Sequence, residues 1–114
     1  MFEKIIDSYG ISWYEDLDDS GIRILHREDG PAIEYYNGRK EWYFHGTHHR
    51  EDGPAIITPD GSQYWIYKGK YHREDGPAVI AGDDSYQAWY LYDEKVPCSS
   101  KEEFERFVKL KVFW

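Results

Sequence analysis

Short runs of β-forming residues, broken by glycine- and aspartate-bearing turns, make up most of this chain. At the N-terminus, Phe2, Ile5, Ile6 and Tyr9 fall at helical spacing, and Gly10 can take the left-handed position beyond a helix end. This stripe predicts a short N-terminal helix lying across the first strand. Residues 11–16 then read as a strand, 17–21 as a turn and 22–26 as a second strand. Residues 32–36 form a run rich in β-formers, and Asn37-Gly38 signals a hairpin, expected as a type I′ turn. The chain returns through 39–44 and turns again at His45-Gly46. The same cycle follows with strands at 55–58 and 62–67 and turns at 59–61 and 68–69, then with strands at 78–81 and 86–92 joined by 82–85.

The cycle has an exact marker. His-Arg-Glu-Asp-Gly-Pro-Ala begins at His26, His49 and His72, so the pitch is 23 residues. A repeat of this length predicts a stacked array in which each unit buries its neighbour's face. The first unit carries about six extra residues, since Trp13 precedes His26 by thirteen positions while Trp42 precedes His49 by seven. The loop at 82–85 holds one insertion. The pattern fails after Trp89, with Asp93 for the turn glycine, Val96 for the histidine and Pro97 for the arginine. Ser100-Lys101-Glu102-Glu103 has the form of a capping box, and Phe104, Phe107, Val108 and Leu110 give the following helix an apolar side, with Trp114 at its end. The fold class expected is mainly all-β: a meander of stacked antiparallel hairpins with a short N-terminal helix and a C-terminal capping helix. It is read as one domain over 1–114, with an N-terminal cap and first strand in 1–21, hairpin repeats in 22–98 and the closing helix in 99–114.

Within the phrase, Asp-Gly-Pro-Ala reads as a corner. Aspartate can bond local amides, glycine supplies a conformation barred to other residues, proline ends a ladder and alanine admits close packing. With two strands per unit, His26, His49 and His72 form a column at about 9–10 Å, too far apart to share one metal ion. Arg27, Arg50 and Arg73 are expected to bond acidic groups of an adjacent unit, and the imidazoles to bond backbone carbonyls at the corner. These six residues, with Trp42, Trp65 and Trp89, are also the candidate binding surface for a ligand or partner. Trp13, Trp42, Trp65 and Trp89 recur once per unit, as a packed face or as a platform on which sugars or bases could stack.

Composition narrows the function. A net charge of −8 argues against direct binding of nucleic acid or an anionic membrane and leaves a basic partner protein open. Cys98 is the single cysteine, which excludes an intrachain disulfide and a cysteine-based zinc site. No apolar run approaches a membrane span, and Met1-Phe2-Glu3-Lys4 lacks the start of a signal peptide, so a cytoplasmic location is expected. Residues 16–21 resemble the start of a calcium loop, but Arg27 stands where its closing acid belongs. His45, His48 and His49 cluster round one turn, where His45 and His49 could approach each other as a fortuitous metal site. No catalytic residue, metal or cofactor is assigned, because a thrice-repeated phrase suits a scaffold rather than an active site.

The frame Trp-Tyr-x-x-Gly-x-x-His-Arg-Glu-Asp-Gly-Pro-Ala, here Trp42, Tyr43, Gly46 and 49–55, resembles the MORN-like repeats of small proteins from tailed phages and large DNA viruses. It recurs at Trp65, Gly69 and 72–78, and Ser100 to Phe104 is similar to the closing helix of such arrays. MORN repeats usually carry glycine after the histidine, where this chain has Arg50. The resemblance implies a non-enzymatic hairpin array that acts by protein–protein interaction. In a phage setting it implies inhibition of a host factor, including defence machinery, in the host cytoplasm. The alternative is a binder or sponge for a nucleotide signal that uses the aromatic and arginine residues. A metal-dependent hydrolase ranks last. The array is expected as a monomer or an edge-paired homodimer.

Overall fold

The structure, a computed structural model, describes residues 2–16 and 23–111. Among these, fourteen strands lie in antiparallel sheets with one C-terminal helix, and no sheet closes into a barrel. The array is a slab of 48 × 33 × 18 Å.

The main sheet is a meander. Strands β1 (Phe2–Ile6), β2 (Gly10–Asp16), β4 (Ile33–Tyr35), β5 (Lys40–Glu41), β8 (Ile56–Ile57), β9 (Gln63–Tyr64), β12 (Val79–Ile80), β13 (Gln87–Leu91) and β14 (Glu94–Val96) follow one another in that spatial order, and β3 (Arg23–Leu25) pairs with β2. Each 23-residue unit therefore adds two strands. The register places Ile33, Glu41, Ile56, Tyr64, Val79 and Ala88 in one row across the sheet. Directly opposed residues share a face, so this row is apolar with one carboxylate in it.

The expected N-terminal helix is absent. Residues 2–6 form β1, paired with β2 from Phe2↔Glu15 to Ile6↔Ile11. The helical stripe was a coincidence of spacing, and β2 offered an edge whose hydrogen bonds the segment satisfies as a strand. The turn between them is held by Asp7 Oδ1, which accepts from the amides of Tyr9 and Gly10. Tyr9 and Ile6 stay exposed.

Two of the expected returning strands bend at their tryptophan. Residues 39–44 split at Trp42 into β5 and β6 (Tyr43–Phe44), and 62–67 split at Trp65 into β9 and β10 (Ile66–Tyr67). Beyond the bend, β6 pairs with β7 (Thr47–His48), and β10 pairs with β11 (Lys70–Tyr71). The end of β13 pairs with β14 in the same way, as the end of β2 does with β3. These hairpin tips form a second ladder beside the main sheet, linked from unit to unit by Gly46 N–H to Leu25 O, Gly69 N–H to His48 O and Asp93 N–H to Tyr71 O.

The turn types follow from backbone signs. His45-Gly46, Lys68-Gly69 and Tyr92-Asp93 have positive φ at both positions, the requirement of a type I′ turn. At Asn37-Gly38 only Gly38 is left-handed, and Tyr35 bonds both Gly38 and Arg39, so the turn there is the three-residue hairpin loop and not the expected type I′. Gly61 repeats that loop, and Asp84 takes the left-handed position in the longer 82–85 loop.

Helix α1 (Lys101–Lys111) closes the array. Ser100 Oγ accepts the Glu103 amide at 3.2 Å, while Glu103 reaches back to the amide and hydroxyl of Ser99. Its inner side packs Phe104, Phe107 and Val108 against Trp89, Leu91 and Val96. Leu110 is exposed rather than part of that side. The turn at 17–21, most of the calcium-like stretch 16–21, Ile22 and Trp114 lie outside the described residues. No described helix is long and apolar enough to cross a membrane.

Candidate functional site

Each copy of the phrase builds the same corner. The backbone amides of His26, His49 and His72 bond Trp13, Trp42 and Trp65 carbonyls at 3.1 Å, closing the hairpin tip. The next amides, of Arg27, Arg50 and Arg73, reach across to Tyr43, Ile66 and Tyr90 of the following unit. Ala32, Ala55 and Ala78 then enter the main sheet with no exposed surface.

The histidine rings bond backbone amides where carbonyls were expected. His26, His49 and His72 accept through Nδ1, from the backbone amides of His45, Lys68 and Tyr92 at 2.9, 2.8 and 3.2 Å. An accepting Nδ1 leaves Nε2 as the protonated nitrogen of a neutral ring. It faces Glu28, Glu51 and Glu74 at 3.7, 3.7 and 3.4 Å. The amide each ring holds belongs to a left-handed residue of the next turn, so the imidazole fixes that turn across the unit boundary.

The arginine side chains hydrogen-bond within their own phrase, and Arg27 also keeps the expected reach to the next unit, with Nη1 3.7 Å from Glu34 of β4. Nε of Arg27, Arg50 and Arg73 donates to Asp29, Asp52 and Asp75, and Nη1 donates to the carbonyls of Pro31, Pro54 and Pro77 at 3.1 Å. Each guanidinium also lies over a tryptophan face: Arg27 over Trp13 at 3.8 Å, Arg50 over Trp42 at 4.0 Å and Arg73 over Trp65 at 3.8 Å. Arg73 holds the Asp75 carboxyl below its ordinary range.

This stack explains the glycine. Gly30, Gly53 and Gly76 are not left-handed, contrary to the corner reading. A Cβ there would sit 3.1, 2.6 and 2.9 Å from the guanidinium carbon of Arg27, Arg50 and Arg73. Glycine leaves the space the cation occupies. Trp89 has Pro97 in place of an arginine, and Phe104 and its helix cover it instead.

Aromatic rings run along the tip flank as a continuous column. Consecutive centroids from His26 to Phe44, His49, Tyr67, His72 and Tyr92 are separated by 4.7, 5.9, 4.8, 5.9 and 4.0 Å. Between successive phrases this column floors two shallow grooves of about 650 and 620 Å³. Glu28, Asp29, Glu51 and Asp52 rim the first, and Glu51, Asp52, Glu74 and Asp75 the second. The glutamates are about three-quarters exposed. Since each aspartate is matched by its arginine, each phrase presents one net negative charge, carried by its glutamate.

The expected approach of His45 and His49 gives way to a different pairing. His45 stacks on His26 at 4.4 Å and bonds Glu15 through Nδ1 at 2.6 Å. Glu15, His26 and His45 bring ligand atoms within 4.8 Å of one another, a set of the kind that holds zinc. Nδ1 of His26 accepts from the His45 amide and Nδ1 of His45 bonds Glu15, so two of the ligand atoms are already hydrogen-bonded.

One polar centre lies outside the phrase. Glu41, almost fully buried in the row of β-strand residues, accepts from His48 Nε2 at 2.8 Å, Arg39 Nε at 3.2 Å and Tyr43 hydroxyl at 3.2 Å. The His48 bond, ahead of Arg39, holds its carboxyl down at about 2 against the opposing effect of burial. Burial and then the Glu41 charge push the Tyr43 phenol up to about 12. Superposing the repeats was the available signal, since Tyr64 and Ala88 occupy the matching positions.

No family of known proteins matches this sequence, and neither a curated protein nor a solved structure is measurably similar to it.

Proposed function

We propose that this chain is a non-enzymatic binding module that holds a basic protein segment on the grooves between its repeated corners. The single observation behind this reading is the division of labour inside the phrase. His, Arg, Gly, Pro and Ala are turned onto the chain itself; the aspartates and glutamates are both largely exposed, but each aspartate is paired with its arginine, which leaves the charges of Glu28, Glu51 and Glu74 unmatched by a cation of the phrase beside the aromatic column. Phosphate recognition would draw on the arginines, and those guanidiniums are already bonded and stacked. A row of uncompensated carboxylates, on a chain of net charge −8, favours cations and disfavours nucleotides. This agrees with the protein–protein role that the MORN-like resemblance implies, and a host protein fits it as the partner of a viral array.

The experiment is a paired affinity purification. One bait is the native chain and the other carries Glu28→Gln, Glu51→Gln and Glu74→Gln. The reading expects basic proteins that bind the first and are lost from the second, with equal melting temperatures for the two baits. Recovery of the same partners by both baits contradicts it.

A further inference from the structure

We infer that the segment held in these grooves is a polyproline II stretch with a lysine or arginine at every third residue. The inference rests on the binding role proposed above and adds its chemistry and spacing. Three observations carry it.

The first is the floor. Phe44 and Tyr92 are about half exposed, and Tyr67 lies between His49 and His72 in the same column. Aromatic faces attract ammonium and guanidinium groups. The chain's own cations show the preference: Arg50 and Arg73 lie on Trp42 and Trp65, and Lys68 Nζ sits 5.3 Å from the Tyr67 centroid.

The second is the rim. Glu51 stands on the wall shared by both grooves, with Glu28 and Glu74 on the outer walls. Arg27 and Arg50 also line the first groove and Arg50 and Arg73 the second, each bonded to its aspartate, so a cationic side chain entering either groove meets aromatic rings and a net excess of carboxylates.

The third is the pitch. Each unit adds two strands to the sheet, so equivalent carboxylates repeat at about 9–10 Å. A β-strand ligand would need about three residues to span this, which turns every other cation away from the floor, because its side chains alternate. A polyproline II helix has three residues per turn and rises about 3.1 Å per residue, so side chains three apart lie on one face about 9.3 Å apart. Register is thus kept across both grooves only in the second conformation.

Two isomeric peptides test this, Lys-Pro-Pro-Lys-Pro-Pro-Lys and Lys-Pro-Lys-Pro-Lys-Pro-Pro, measured by calorimetric titration at low ionic strength. Three proteins are compared: the native chain, the Glu28→Gln, Glu51→Gln, Glu74→Gln variant, and a variant with the same charge change elsewhere, Glu94→Gln, Glu102→Gln, Glu105→Gln. The expected result is binding of the first peptide at least about tenfold tighter than the second. That preference should disappear in the groove variant and persist in the control. If both isomers bind equally and both are lost in the groove variant, the spacing is wrong and the acidic groove stands. If neither peptide binds, or the two variants weaken binding alike, the groove itself is not the site and both readings fall.

Discussion

Nδ1 of His49 lies 2.8 Å from the backbone nitrogen of Lys68, nineteen residues later and in the next unit. The bond ties a phrase to a type I′ turn whose first residue is left-handed at φ 49°. Removing the ring leaves the turn unsupported, although the exposed amide can turn to water. His49→Ala should therefore destabilise the fold by about 0.5–1.5 kcal/mol, read from urea denaturation. His49→Asn, which keeps an acceptor near the backbone, should recover part of that loss. Equal destabilisation by both substitutions would separate the effect from the acceptor.

Gly53 and Arg50 should show energetic coupling. A Cβ at residue 53 meets the Arg50 guanidinium at 2.6 Å, so Gly53→Ala must push the cation off Trp42 and out of its bonds. The expected cost is about 1–3 kcal/mol. In an Arg50→Ala background the methyl group finds empty space, and the same substitution should cost much less. A double-mutant cycle measures the difference. Additive costs would mean that glycine is required for its backbone.

Glu41 predicts acid sensitivity. Its folded value of about 2 lies below its ordinary 4.5, so its contribution is complete above about pH 4.5 and is lost as pH falls toward 2. Over that window the loss amounts to roughly 2–3 kcal/mol. Glu41→Gln should lower stability at neutral pH and flatten the acid limb of the stability profile. An unchanged acid limb would assign that limb to other carboxylates.

Phe104 replaces, for the last tryptophan, what arginine does for the others. It is fully buried in the cluster with Trp89. Phe104→Ala should cost about 3–5 kcal/mol and raise the solvent accessibility of Trp89, seen as a red-shifted fluorescence maximum. Loss of stability without any spectral change would place the cavity elsewhere.

Much of this architecture was legible in the chain because repetition removes ambiguity. The 23-residue pitch gave the unit, His45-Gly46 and Lys68-Gly69 gave turns, and the break at Val96 and Pro97 gave the end of the array. The closing helix followed from Ser100 and Glu103. The N-terminal strand was hidden, since the spacing of Phe2, Ile5, Ile6 and Tyr9 satisfies a helix locally while the decisive bonds come from β2. The corner was read as a backbone device, but its glycine answers to a side chain from three residues earlier, a contact no propensity records. The pairing of arginine with tryptophan leaves a trace in the spacing alone: Arg50 follows Trp42 by eight residues, and Arg73 follows Trp65 by eight. Glu41 forms no part of the repeated phrase and is marked only by superposing the units, where Tyr64 and Ala88 take its place.

The central claim is that neighbouring letters of one phrase have opposite duties, and Arg50 and Glu51 are adjacent. Thermal unfolding of Arg50→Ala and Glu51→Gln, side by side with the native chain, tests it most directly. The account predicts that Arg50→Ala lowers Tm by about 5–10 °C, since it removes two hydrogen bonds and a stacked cation worth about 2 kcal/mol together. It predicts that Glu51→Gln leaves Tm within about 2 °C. A Glu51→Gln variant as unstable as Arg50→Ala, or an Arg50→Ala variant as stable as the native chain, would contradict it.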